Sequence, residues 1–159
     1  MNSESVQMVL RKQPFVEGLQ PPQVERLAAL ARRVHFDRDK VLFESGEECP
    51  EFYLITSGLV ALEIAPASGV FRVDTLGEGD ELGWSSILMG HGRQFQARTL
   101  REVDALAFDG AALRALCEDD PAFGYALMRR LLAVVADRLQ VTRLHLMDHH
   151  WPVAHKAGA

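Results

Sequence analysis

Apolar and polar residues follow different spacings in successive segments of the chain. Pro21 is followed by Val24, Leu27 and Leu30 at helical spacing, which predicts a short amphipathic helix with a proline-marked start. From Val34 to Phe108 the pattern changes to short β-branched and aromatic runs separated by glycines, as is typical of strands and tight turns. We predict eight strands, at Val34–Phe36, Lys40–Phe43, Glu51–Thr56, Leu59–Ala65, Val70–Leu76, Glu81–Trp84, Phe95–Thr99 and Asp104–Phe108.

Two helices are predicted after the strands. Asp109 is a candidate N-cap for a helix over Gly110–Glu118, and Asp120 with Pro121 provides the N-cap and first residue of a long helix ending near Met147. The fold class is therefore mainly β with flanking helices: an eight-stranded β-roll or jelly roll, then a short and a long C-terminal helix. We expect one domain over residues 1–147, comprising a helical segment over 1–33, the β-roll over 34–108 and the helices over 109–147, and a loose tail over 148–159.

The long helix carries a second apolar pattern. Six residues recur at alternating spacings of four and three, as in a heptad: Met128, Leu132, Val135, Leu139, Thr142 and Leu146. A small β-roll covers only one side of a helix, so this seam predicts a homodimer through residues 121–147. The alternative is a helix packed wholly on its own sheet.

Composition narrows the classes of function. The chain has 159 residues, 48% of them hydrophobic, which is enough for one core without a metal or disulfide. The formal net charge of −5 argues against non-specific nucleic-acid binding. No signal peptide or apolar span of membrane length is visible, so we expect a cytoplasmic protein that does not enter a membrane. Cys49 and Cys117 have no metal-ligand spacing and are interpreted as reduced, structural thiols.

Three strings resemble the cyclic-nucleotide-binding domain of the catabolite activator and FNR (CRP/FNR) superfamily. Val41–Glu47 is similar to that family's strand and turn, Phe52–Val60 to its central hairpin, and Leu76–Asp80 to the turn ahead of its phosphate-binding cassette. Gly58 and Gly79 lie in these turns, where a positive φ is expected. The resemblance extends from about residue 15 to residue 147.

The resemblance implies a ligand site in the segment that follows. Gly83 matches the cassette glycine, Arg93 matches the phosphate-binding arginine, and Ser85 and Ser86 match the start of a short helix whose amides face the anion. The full set of implied ligand-binding residues is Gly83, Trp84, Ser85, Ser86, Arg93, Gln94 and Thr142. The implied ligand is a cyclic nucleotide, cyclic AMP or cyclic GMP, or another small anion, and no other cofactor is expected.

Two of these positions leave alternatives open. Trp84 replaces the family's glutamate, whose carboxylate accepts a hydrogen bond from the ribose, whereas an indole only donates. Trp84 therefore either stacks on a base or fills the pocket. Arg93 either binds the anion or pairs with a carboxylate such as Glu81. Gln94 and Phe95 also stand where the family has small residues.

The segment Arg138–Thr142 resembles the stretch of the family's long helix that brings a threonine to the nucleotide base. The Thr142 hydroxyl has two candidate partners, the ligand's amino group or the carbonyl four residues earlier. Arg143 follows, where the family has a small polar residue.

We therefore expect a non-enzymatic sensor or regulatory module that signals to an unidentified partner protein. About a dozen residues follow Met147, too few for a helix-turn-helix, so direct DNA binding is not expected. One alternative is a dimeric protein-interaction domain with a degenerate cassette that binds no nucleotide. A cupin-like metal enzyme is a second alternative, disfavoured because His35 and His91 are isolated. Nucleophilic catalysis is disfavoured as well, because Ser85 and Ser86 have no nearby histidine in the sequence. No catalytic or metal-binding residue is assigned.

Overall fold

The structure, a computed structural model, describes residues 3–44, 51–64, 69–88 and 95–157. Its helices are α1 Ser3–Arg11, α2 Pro21–Leu30, α3 Gly110–Asp119 and α4 Pro121–Ala157, with short 3-10 helices at Pro14–Val16 and Trp84–Ser86. Its strands are β1 Arg32–Phe36, β2 Val41–Phe43, β3 Glu51–Ser57, β4 Val60–Ile64, β5 Phe71–Leu76, β6 Glu81–Leu82, β7 Gln96–Thr99 and β8 Val103–Asp109.

The strands form two four-stranded antiparallel sheets. One has the order β1-β8-β3-β6 and the other the order β2-β7-β4-β5. Side chains from both sheets meet in one buried cluster, which includes Tyr53, Ile55, Leu62, Ala97 and Ala107. This two-sheet arrangement confirms the predicted jelly roll.

The first sheet is buried on both faces. Tyr53 and Ile55 of β3 point between the sheets, while Phe52 and Leu54 alternate with them and pack against the helices. The same strand therefore contributes to two cores, which explains its unbroken apolar run. The helical cluster contains residues of α1, α2, α3 and α4, and Phe123 and Leu127 of α4 are fully buried in it.

Local sequence signals account for the turns and the helix starts. Gly58 joins β3 to β4 with φ of 100°, and a Cβ there would lie 2.2 Å from the carbonyl oxygen of Glu102, so only glycine fits. Asp109 caps α3, because its Oδ1 accepts hydrogen bonds from the amides of Ala111 and Ala112 at 2.8 and 3.1 Å. Asp120 caps α4 in the same way through the amide of Phe123.

Two predicted boundaries are wrong. The strand predicted over Glu81–Trp84 ends at Leu82, because Gly83 adopts a left-handed conformation and Trp84 begins a 3-10 helix. The long helix continues to Ala157 instead of ending at Met147, so the segment predicted as a loose tail is largely helical. After Gly124 the next glycine in the sequence is Gly158, so no glycine stop signal marks the predicted end.

The other predicted strands differ from the observed ones by one or two residues at their ends, and Ala65 lies outside the described residues. Within the described ranges, no helix is both long enough and apolar enough to cross a bilayer. Cys117 is a free, partly buried thiol, and Cys49 lies outside the described residues.

Candidate ligand-binding site

The cassette begins where the short strand β6 leaves the first sheet. Leu82 pairs with Tyr53, and Gly83 then turns the chain with φ of 87° and ψ of 23°. A residue with a Cβ is disfavoured at such a φ, so the left-handed conformation gives a physical reason for glycine here. The single turn over Trp84–Ser86, which we call the cassette turn, follows directly.

The two serines of the cassette turn have different roles. Ser86 is buried, and its hydroxyl and its amide both donate to the carbonyl oxygen of Gly83, at 2.7 and 2.9 Å. Its hydroxyl therefore closes the turn. Ser85 is half-buried, and its hydroxyl has no hydrogen-bond partner among the described residues. Of the two hydroxyls, Ser85 has the one that remains available to a ligand.

Trp84 packs into the protein. Its indole is partly buried and contacts the helical core cluster on the outer face of the first sheet. A large aromatic side chain in such a place contributes mainly through buried area. This packing does not decide between the two expected roles, stacking on a base and filling the pocket, which stay predictions.

Arginines from both C-terminal helices bind the two ends of the cassette. Arg114 of α3 donates to the carbonyl oxygen of Ser86. Arg138 of α4 donates through Nη2 to the carbonyl oxygen of Glu81 at 2.5 Å, and the same nitrogen lies 3.9 Å from the Glu81 carboxylate. Gly83 therefore sits between two backbone carbonyls that are held by α3 and α4.

The Arg138 side chain keeps one unused donor. Its Nε is buried and has no hydrogen-bond partner in the described stretches of the chain. Glu81 beside it is also largely buried, and burial raises the pKa of its carboxyl although the Arg138 charge opposes the shift. A buried donor of α4 and a carboxyl with a raised pKa thus lie together at Glu81, two residues before the cassette glycine.

The remaining predicted site residues are located only in part. Arg93 and Gln94 lie outside the described residues, as does His91. Thr142 is exposed, and its hydroxyl donates to the carbonyl oxygen of Arg138 at 2.9 Å, the second of its two candidate partners. Thr142 is thus one helical turn beyond the arginine that contacts the cassette.

Sequence reasoning missed Arg114 and the pairing of Arg138 with Glu81. Arg138 stands in the segment that resembles the family's long helix, so its place on that helix could be predicted but its contact with Glu81 could not. Arg114 carries no local signal, because its contact with Ser86 spans 28 residues of sequence.

The long helix presents two different faces. Leu127, Leu131 and Val134 are buried against the domain's own core. In contrast Leu132, Leu139 and Leu146, which repeat every seven residues, are 69%, 57% and 53% exposed. The predicted seam is thus only partly covered by the domain itself, and its leucines face outward.

The fold and the cassette together define a class of protein: a jelly roll whose cassette turn follows a short strand and contacts two C-terminal helices. The sequence model of one family, described as the cyclic nucleotide-binding domain, matches residues 33–120. The chain belongs to this family, and the resemblance found in the sequence is confirmed.

Individual relatives agree with this assignment. The chain is 30% identical over 141 residues to a protein of Mycobacterium tuberculosis described as a CRP-like cAMP-activated global transcriptional regulator, with 88% of this chain covered. It spans only 61% of the length of that regulator.

Two solved structures show the same fold. A cyclic nucleotide-binding domain from Methylobacillus flagellatus aligns with a TM-score of 0.77 at 20% identity, covering 94% of this chain and 83% of that one. The catabolite activator protein of Thermus thermophilus aligns with a TM-score of 0.70 at 27% identity, covering 84% and 62%.

Proposed function

We propose that this chain is a non-enzymatic regulatory module in which a cyclic nucleotide or another small anion at the cassette changes the setting of the long helix α4. The proposal places the ligand at Gly83, the cassette turn and Arg93. It places the output in α4 and, through it, in a separate partner protein in the cytoplasm.

The observation that carries this proposal is the direct contact between α4 and the cassette. Arg138 holds the carbonyl oxygen of Glu81, two residues before Gly83, and Arg114 holds that of Ser86 at the end of the cassette turn. A ligand that moves the cassette must therefore change these hydrogen bonds. A ligand shifts an equilibrium only by its difference in affinity for the two states, so the cassette must bind the ligand differently in the two settings of α4.

The chemistry of the cassette favours an anion. Arg93 supplies a guanidinium in the resembling segment, Ser85 offers a hydroxyl with no partner among the described residues, and the buried Nε of Arg138 lacks an acceptor there. The M. tuberculosis relative is described as cAMP-activated. Cyclic AMP is therefore the first ligand to test, with cyclic GMP beside it.

We propose further that the module is a homodimer through α4. The support is the row of exposed leucines at positions 132, 139 and 146, which an isolated protomer leaves in water. A two-fold pairing of this row would place two cassettes next to one shared pair of helices.

Isothermal titration calorimetry tests the ligand site. Cyclic AMP or cyclic GMP at millimolar concentration should give a saturable heat, and Arg93→Ala should weaken binding about tenfold or more. Arg101→Ala, which removes an exposed arginine in the turn before β8, is the matched control and should bind as the natural protein does. Equal affinity of the Arg93 variant would remove the proposed site.

A second candidate function is a dimeric protein-interaction domain without any nucleotide. The specific observation in its favour is the packing of Trp84 against the helical core, in the position where the family has a glutamate. Absence of heat and of a thermal shift with both nucleotides would favour this second function over the first.

A further inference from the structure

A cavity of about 630 Å³ lies at the edge of the first sheet, apart from the cassette turn. It is bounded by the C-terminal end of α1, the edge of the sheet at β1, β3 and β8, and the turn between β5 and β6. No residue of the segment 82–88 is among its lining residues. Its volume falls in the range of small-molecule sites, roughly 300 to 1,000 Å³.

Gln13 forms one side of the cavity wall and has an unsatisfied polar atom. The residue is only 7% exposed, and its Oε1 is buried without a hydrogen-bond donor among the described residues. A buried acceptor without a donor is unfavourable, so native proteins rarely retain one without a reason. Because Oε1 itself is buried, a donor in the cavity can reach it only if the amide rotates, and the terminal torsion of a glutamine side chain is broad.

The wall that carries Gln13 is held in place from several directions. The Gln13 backbone amide donates to the carbonyl oxygen of Leu10 at 2.9 Å. Arg130 of α4 donates to the carbonyl oxygens of Pro14 and Phe15, at 2.7 and 2.9 Å. A preorganised wall of this kind reduces the ordering cost of binding.

Two opposite charges line the same cavity without partners. Lys12 of the segment after α1 and Glu78 of the turn before β6 both line it, and neither side chain makes an ion pair or hydrogen bond with a residue of the described ranges. Val9 and Leu106 add apolar surface. Arg33 and Asp104 also line the cavity, but both already have partners within the protein. The cavity thus offers one unpartnered cation, one unpartnered carboxylate, one amide oxygen that needs a donor, and an apolar wall.

We propose that this cavity binds a small zwitterion of the α-amino-acid type. Its carboxylate would pair with the Lys12 ammonium. Its ammonium group would donate to the Glu78 carboxylate and to Oε1 of Gln13, and an aliphatic side chain would lie on Val9 and Leu106. This site is separate from the cassette and does not depend on nucleotide binding.

Calorimetry of the full chain with L-leucine and L-valine as probes tests the proposal. We expect saturable binding in the micromolar to millimolar range. Glu78→Gln and Gln13→Met should each weaken it about tenfold or more, because each removes a hydrogen bond to a charged group. Glu25→Gln, which neutralises an exposed carboxylate of α2 outside the cavity, is the matched control and should change nothing.

Two leucine analogues decide the ligand class. Isoamylamine lacks the carboxylate and 4-methylpentanoate lacks the ammonium group, so both should bind at least tenfold more weakly than leucine. Equal binding of either analogue would overturn the zwitterion assignment. Absence of heat with both amino acids, or unchanged affinity in both cavity variants, would overturn the site itself.

The melting temperature of the Gln13→Met variant without ligand gives an independent test of the site. Gln13→Met removes an unpaired buried acceptor at nearly constant volume, so its melting temperature should equal or exceed that of the natural protein. A clearly lower melting temperature would show that the amide is a structural element, and it would contradict the proposal.

Discussion

Replacing a single leucine of the α4 seam should weaken the dimer by a measurable amount. Leu139 is 57% exposed in the protomer, and complete burial of a leucine side chain is worth about 1.5–3 kcal/mol. Covering the exposed surface therefore contributes about 1 kcal/mol for each protomer. Because Leu139→Ala changes both helices of a two-fold dimer, it should cost about 2 kcal/mol and raise the dissociation constant about 30-fold.

Leu144→Ala is the matched control for this experiment. Leu144 is 51% exposed on the same helix, but it lies about 140° around the helix axis from Leu139. Sedimentation velocity over a range of micromolar concentrations should show a dimer for the natural protein and for the Leu144 variant, and a shift towards monomer for Leu139→Ala. A monomeric natural protein, or equal weakening by both variants, would refute the reasoning.

Three further predictions concern charges and the cassette. Burial raises the pKa of the Glu81 carboxyl above 4.5, so its contribution to stability is full below that pH and is lost as the pH rises through the raised pKa. The melting temperature of Glu81→Gln should therefore increase relative to that of the natural protein between pH 4 and pH 7. A difference that stays constant over this range would contradict the prediction. Hydrogen bonds from Arg98 hold the pKa of Glu63 below 4.5, so that contribution is present above pH 4.5 and is lost as the pH falls through the lowered value. Arg98→Met should lower the free energy of unfolding in urea by about 3 kcal/mol at neutral pH, and by less in acid, because it leaves the buried Glu63 charge unpaired. The double variant Arg98→Met with Glu63→Met should lose less stability than the single variant. Trp84→Glu restores the family's carboxylate and should raise the affinity for cyclic AMP in calorimetry about tenfold or more. Unchanged or weaker binding would show that the missing carboxylate does not limit the affinity.

Local signals were sufficient for most of the fold. Asp109 and Asp120 could be recognised as N-caps because a cap depends on the residue itself and the next few amides. Gly58 and Gly79 could be recognised as turn residues, and both have positive φ, of 100° and 87°. The strands could be predicted because each coincides with a short apolar run of a few residues.

Contacts between distant segments could not be predicted in the same way. The bond from Arg138 to Glu81 joins residues 57 positions apart, and no spacing rule connects a helix arginine with a strand carbonyl. The end of β6 was missed because a glycine in a strand pattern does not show whether the strand stops before it or continues past it. Gln13 gave no signal, since an isolated glutamine in a helical segment is normally solvated.

The same limit applies to the exposed seam. The heptad-like spacing was visible in the sequence, but only the structure shows that Leu132 of the seam is 69% exposed while its neighbour Leu131 is 1% exposed. Tyr125 continues the seven-residue spacing of the exposed leucines and is 67% exposed. The predicted seam began at Met128 and did not include Tyr125.

The central claim is that the cassette and the long helix are coupled through Arg138. The most direct test measures the dimer dissociation constant by sedimentation equilibrium, with and without saturating cyclic AMP, in parallel with calorimetry. The account predicts a saturable heat of binding and a change of about fivefold or more in the dissociation constant, which Arg138→Met reduces. Bound nucleotide with an unchanged dissociation constant, or no bound nucleotide at all, would contradict it.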